Sequence, residues 1–116
     1  YDSEILFVPY RGNFSRGIWI TAYFPFEGTQ DEAVKAYQEF YQDAAFTFVS
    51  EQDIDLKQAV NTNKCILHVQ KQEGQLVIYS AIDNLLKGAS GQAVQNFNLA
   101  FGMDEKTGLN LKSIAF

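Results

Sequence analysis

Two runs, Cys65-Ile66-Leu67-His68-Val69-Gln70-Lys71 and Leu76-Val77-Ile78-Tyr79-Ser80-Ala81-Ile82, flank Gln72-Glu73-Gly74-Gln75, and this stretch decides the fold. Both runs are rich in β-branched and aromatic residues, and the polar link between them contains glycine, so the segment predicts a β-hairpin. On its N-terminal side, Phe46 to Ser50 predicts a short strand, followed by a polar stretch from Glu51 to Asn63. Further back, Ile18 to Phe24 predicts a strand ended by Pro25, with Ile18, Ile20, Ala22 and Phe24 on one face and Trp19, Thr21 and Tyr23 on the other. Neither face is strongly polar, so both should be covered, one by helices and one by a partner. Ile5-Leu6-Phe7-Val8, closed by Pro9, predicts a further buried strand, and Arg11-Gly12-Asn13 a loop.

Helices are expected between and after these strands. Thr29-Gln30-Asp31-Glu32 has the spacing at which a threonine oxygen accepts from an early amide and a glutamate reaches back, with acidic groups at the positive end of the helix dipole. Ala33, Val34, Tyr37, Phe40 and Tyr41 then form one apolar side, and the helix should end near Gln42. A second helix is expected from about Ala89 to Phe101, with Ala93, Val94, Phe97 and Phe101 on one side and Gly102 as its stop. The tail from Thr107 to Phe116 shows no clear period. Strands in neighbouring groups, without strict βαβ alternation, give an α+β fold class: a mixed, mostly antiparallel sheet with helices on one face.

Composition agrees with one folded domain over residues 1–116. A chain of this length buries roughly two-thirds of its unfolded surface, and 47% hydrophobic with 15% aromatic residues argues against a disordered tail. Ten Phe and six Tyr are enough to supply an interface as well as a core. A net charge of -5 without a basic stripe argues against nucleic acid as a partner. No apolar run approaches the roughly 18 to 20 residues that span a bilayer, and no signal-peptide pattern opens the chain, so no membrane partner is expected. One cysteine excludes an internal disulfide, and with one histidine it excludes the usual zinc clusters, which fits a reducing cytoplasm and no metal. The chain opens at Tyr1 without Met and runs straight into the Ile5–Val8 segment, so it is read as a piece of something longer; a processed small protein is the plainer alternative.

Chemistry is sparse. Cys65 and His68 sit three apart on one predicted strand, so their side chains point to opposite faces and do not pair. Cys65 is read as a buried structural thiol, His68 as a solvent-facing or interface residue, and no catalytic residue is assigned within the chain. Neither G-x-G-x-x-G after a first strand nor a P-loop is present. Gly88-Ala89-Ser90-Gly91 lies where a strand passes into a helix, and small residues there let a ligand approach backbone amides, although glycine at such turns is more often structural. Arg11 and Arg16 bracket a loop between two apolar strands, where guanidinium groups are either solvated or able to clamp a carboxylate or phosphate.

The run Ser80-Ala81-Ile82-Asp83-Asn84-Leu85-Leu86-Lys87-Gly88-Ala89-Ser90-Gly91-Gln92-Ala93-Val94-Gln95-Asn96 resembles the C-terminal signature of N-acetyl-γ-glutamyl-phosphate reductases. Asn98-Leu99-Ala100-Phe101-Gly102 and Thr107-Gly108-Leu109 continue it, and Pro9 through Ser15-Arg16-Gly17-Ile18 is similar to the family's loop and strand. The likeness spans most of the chain, with a variable middle. It implies part of an NADP-dependent enzyme of arginine biosynthesis that converts an N-acetyl- or other N-acyl-L-glutamyl 5-phosphate to the 5-semialdehyde plus phosphate, through a thioester on a cysteine. In the family that cysteine, the Rossmann domain and a histidine-bearing segment lie in a portion upstream of Tyr1. The portion present looks like the substrate-binding and dimerisation domain, similar to the C-terminal domain of glyceraldehyde-phosphate dehydrogenases, whose exposed sheet face builds a homodimer or homotetramer interface.

By the same resemblance, Asn84 looks like the asparagine that holds a nicotinamide carboxamide, with Gly88 and Ala89 as the nearby backbone wall. Arg16 looks like the arginine near the substrate. Tyr10-Arg11 stands where many relatives have His-Leu, and Arg11 is read as an added cationic contact for a bulkier or more acidic acyl group such as succinyl. Alone, the chain is expected to be inactive. Two other readings stay open: a stand-alone binding or oligomerisation module reusing the fold, and a related aspartate-semialdehyde dehydrogenase, against which Gly91-Gln92-Ala93-Val94-Gln95-Asn96 argues.

Overall fold

A computed structural model describes residues 4–113; Tyr1–Ser3 and the end of the Thr107–Phe116 tail lie outside the described residues. Four strands, β1 (Ile18–Pro25), β2 (Thr47–Ser50), β3 (Cys65–Gln72) and β4 (Gln75–Ile82), form one sheet in the order β1-β4-β3-β2. The hairpin of β3 and β4 turns on Glu73 and Gly74, with φ of 46° and 80°, and such left-handed pairs match the twist of the strands they join. β1 pairs antiparallel with β4 along its whole length, and β3 does the same on the other side. β2 runs parallel to β3, which requires a crossover. The connection, residues 51–64, carries a one-turn helix, the crossover turn Leu56–Ala59, capped by Asp55 accepting from the Lys57 amide at 2.8 Å.

The sheet is layered by its two-residue period. Helix α1 (Gln30–Tyr41) starts on the predicted box: the Glu32 amide donates to Thr29 Oγ1 at 3.2 Å, and the Thr29 amide donates to Glu32 Oε2 at 2.8 Å. Its Ala33 is buried against Val69, Leu76 and Ile78, with Val34 and Tyr37 packed beside them. Burying a side chain such as Val69 or Leu76 contributes roughly 1.5–3 kcal/mol. Ile66 and Ala81 lie an odd number of residues from Val69 and Ile78 and therefore face the other way, where Ala59, Ile54 and Leu56 of the crossover cover them. After β4 the chain makes a π-helical turn, Leu86–Ser90, that runs into helix α2 (Gly91–Ala100), and the chain leaves the helix at Gly102. The α+β class with a mixed sheet is thus the observed one.

Several expectations need correction. Ile5–Val8 forms no strand: Ile5, Leu6 and Phe7 are about four-fifths exposed, with no partner strand beside them among the described residues. All eight positions of β1 are exposed, because α1 packs on Val69, Leu76 and Ile78 and the crossover on Ile66 and Ala81, and no β1 side chain joins either cluster among the described residues. The polar stretch Glu51–Asn63 contains the crossover turn, whose shortness hides it from any periodicity reading. The second helix begins as a π turn at Leu86, three residues before Ala89. Its apolar side, including Val94, Phe97 and Phe101, faces outward, while Gly91 and Asn98 make the buried contacts. His68 is 7% exposed, contrary to a solvent-facing position: its Nδ1 lies 3.0 Å from the Ser50 carbonyl and its ring stacks on Tyr79. Cys65 is half-buried, with Sγ 3.7 Å from Ser80 Oγ.

Candidate substrate and cofactor site

The register of β1 against β4 builds the site. Ile18 pairs with Ile82, so the residues just before β1 meet those just after β4. Two contacts across this junction join Arg16-Gly17 to Asp83-Asn84. Arg16 Nη2 donates to Asp83 Oδ1 at 3.2 Å, and Arg16 Nε stands 2.9 Å from Oδ2, an ion pair in which the N–H misses the oxygen's direction and makes no hydrogen bond. The Gly17 amide donates to Asn84 Oδ1 at 2.7 Å. Gly17 takes φ of 115°, and a Cβ there would stand 2.8 Å from the Leu56 side chain, so glycine is the residue that turns this amide toward Asn84.

Asp83 is the centre of the junction. It is fully buried, and its oxygens accept from the Asn61 amide at 2.7 Å and from the Leu85 and Leu86 amides at 2.8 and 2.9 Å. Burial pushes the carboxyl up, but the amides of Asn61, Leu86 and Leu85 together with Arg16 outweigh it and hold Asp83 below the usual carboxylate range. Its own carbonyl accepts from the Gly88 amide at 2.9 Å, opening the π turn. Such turns interrupt regular helix bonding and are frequent at functional sites.

Of the residues singled out in the sequence, Arg16 and Asn84 are brought together, and Gly88 is tied to the same turn. A Cβ on Gly88 would lie 3.5 Å from the Asp83 carbonyl, an ordinary contact. Ala89 is exposed on the π turn, and the neighbouring Ser90 hydroxyl donates to the Leu85 carbonyl at 2.8 Å. Arg11 is exposed in the lead-in before β1, and no hydrogen bond or ion pair joins it to the other four among the described residues. The Asn84 oxygen is committed to Gly17, which leaves the Asn84 amide group as a donor, and Arg16 Nη1 has no hydrogen-bond partner among the described residues.

Sequence reasoning missed Asp83 and Asn61. A signal for Asp83 existed: an aspartate at a strand end, with non-proline residues two and three positions on, is suited to accept from the amides of those two residues. A concavity of about 370 Å³ lies on the sheet face opposite α1 and is lined by Trp19, Asp53, Ile54, His68, Gln70 and Tyr79. Among the described residues, no group of three or more His, Cys, Asp or Glu side chains converges to hold a metal ion, and no helix is long and apolar enough to cross a membrane.

Similarity to known proteins sets this geometry in context. A protein of Christiangramia forsetii named N-acetyl-gamma-glutamyl-phosphate reductase is 63% identical over 97% of the chain and 35% of its own length. Proteins of the same name from Azobacteroides pseudotrichonymphae and Bacteroides thetaiotaomicron are 59% and 52% identical, over 98% and 100% of the chain and 36% of their own lengths. The chain therefore spans about a third of the length of the curated relatives it matches. Residues 1–84 match the family described as semialdehyde dehydrogenase, dimerisation domain, and the chain belongs to that family.

Proposed function

We propose that the chain is the substrate-binding and dimerising part of an NADP-dependent reductase that converts N-acetyl- or another N-acyl-L-glutamyl 5-phosphate to the 5-semialdehyde and phosphate, in arginine biosynthesis in the cytoplasm. The observation that carries this reading is the 63% identity over 97% of the chain to a relative of that name. The Arg16–Asp83 and Gly17–Asn84 contacts support it, because they gather the expected substrate-side and cofactor-side residues at one junction.

The residues present fit the expected groups. Asn84 offers an amide donor suited to the carbonyl of a nicotinamide carboxamide, and Gly88 and Ala89 leave the adjacent backbone unshielded by large side chains. Bound NADPH supplies the hydride. Arg16 turns one edge of its guanidinium to Asp83 and keeps Nη1 for a phosphate or carboxylate oxygen. Arg11, exposed and apart, is the proposed contact for a more acidic acyl group such as succinyl. The nucleophile belongs to the rest of the protein in this reading, since Cys65 lies half-buried beside Ser80 within the sheet. A Rossmann domain, the acyl phosphate and further copies in a homodimer or homotetramer are the proposed partners.

The test is NADPH oxidation by the full-length gene product with N-acetyl- and N-succinyl-glutamyl phosphate, with the chain alone run in parallel. Turnover by the long form and none by the chain is the expected result. An inactive long form on both substrates overturns the reading. An Arg11→Ala enzyme with unchanged acyl preference removes the role given to Arg11.

A further inference from the structure

We infer that Asp83 is a positioning residue for the reductase, orienting Arg16 toward the substrate and setting the turn that presents Asn84 to the cofactor. This inference rests on the proposed function and deepens it.

Arg16 carries a long side chain that is about a third exposed, and an unrestrained guanidinium there would sample many rotamers. Asp83 fixes it along one edge, with Oδ1 accepting from Nη2 and Oδ2 standing 2.9 Å from Nε. The outward part of the guanidinium is thereby left pointing away from Asp83. The same carboxylate binds the amides of Leu85 and Leu86, which fixes the direction in which the chain leaves Asn84. Asn84 in turn holds Gly17, the residue after Arg16. Each side of the junction thus restrains the other, and Asp83 is the group common to both.

Asp83 itself is fully buried, so it acts on substrate through Arg16 and on cofactor through Asn84. The Asn61 amide adds a third restraint, from the crossover side, where Asn61 holds φ of 65°. A carboxylate with this many donors is needed because a neutral amide offers one oxygen where Asp83 uses two.

The experiment uses the full-length enzyme with the Asp83→Asn, Arg16→Ala and Arg16→Lys variants and the Asp83→Asn/Arg16→Ala double variant. Thermal unfolding of each is followed beside steady-state kinetics. Asp83→Asn is expected to raise KM for the acyl phosphate by roughly tenfold or more and KM for NADPH by a smaller factor, since misplaced binding groups lose affinity steeply. In the Arg16→Ala background the same change is expected to leave the acyl-phosphate KM unaltered while still raising that for NADPH, because its route to substrate is already gone. Arg16→Lys keeps the charge but loses the planar pairing, and is expected to reproduce the acyl-phosphate effect even if Asp83→Asn does not fold.

Unchanged KM values in a folded Asp83→Asn enzyme, equal effects in both backgrounds, or a wild-type KM in Arg16→Lys would overturn the inference. A wild-type enzyme without turnover on either acyl phosphate would instead sink the proposed function, and the inference with it. The two failures are therefore told apart by the wild-type assay alone.

Discussion

Asn63 and Gly91 approach so closely that a Cβ on Gly91 would stand 1.7 Å from Asn63 Oδ1. Asn63 cannot withdraw freely, since it is 2% exposed and its Nδ2 donates to the Leu109 carbonyl at 2.8 Å. This contact docks the start of α2 onto the end of the crossover and pins the tail at Leu109, itself 4% exposed. Gly91→Ala is therefore expected to destabilise the protein by about 2–3 kcal/mol, the upper range for forcing an extra methyl group into a packed site. Urea unfolding of the two proteins checks it, and a Gly91→Ala protein as stable as the parent would show that the junction can open at little cost.

Asp83 makes an acid-side prediction. Its pKa is lowered in the folded state, so its contribution to stability is fully present above the ordinary carboxylate value near 3.8 and is lost as pH falls through the lower folded-state value. Breaking a buried ion pair costs about 3–5 kcal/mol, and the partial exposure of Arg16 brings the expectation for Asp83→Asn to about 2–3 kcal/mol at neutral pH. Unfolding free energies of parent and variant should converge as pH drops below about 4. A gap that persists unchanged at pH 2 would contradict this.

The α1 cap gives a smaller effect. Thr29→Ala removes the oxygen that accepts from the Glu32 amide and is expected to cost about 1 kcal/mol. Glu32 is held below its usual range by the Thr29 amide first and the Thr29 hydroxyl second. Its capping contact is accordingly present at neutral pH and fades as pH falls through that lowered value. Thermal unfolding at pH 7, with amide exchange in the first turn of α1, measures the loss.

At the hairpin, Glu73 sits at φ of 46°, a conformation that asparagine tolerates better than glutamate. Glu73→Asn is expected to stabilise the chain by about 0.5 kcal/mol, within the range such local corrections reach. Gly74 at φ of 80° is the opposite case: Gly74→Ala should cost about 1 kcal/mol, although nothing lies within 4 Å of the added methyl group. Chemical denaturation of both variants separates backbone strain from packing.

Much of the fold is legible locally. Thr29 and Glu32 are three residues apart, and the box they form depends on nothing outside that turn. The hairpin of Cys65–Gln72 and Gln75–Ile82 was readable for the same reason, as was the chain's exit from α2 at Gly102. Ile5–Val8 misled because an apolar run specifies a strand only when a neighbouring strand or layer receives it, and none does so among the described residues. The outward apolar side of α2 misled in the same way: period predicts a face, and tertiary contacts decide which face is buried.

The candidate site divides along that line. Residue types and short spacings alone singled out Arg16, Gly88 and Ala89 and put Cys65 and His68 on opposite faces of one strand, whereas Asn84 came from the family resemblance. Only the tertiary structure decided that Arg16 and Asp83, 67 residues apart, form an ion pair. The cause is the pairing of Ile18 with Ile82, which brings the two strand ends together and lets a buried carboxylate find its donors. Local sequence cannot specify that register, because the backbone ladder that fixes it joins residues 50 to 64 positions apart, from Pro25 with Gln75 to Ile18 with Ile82.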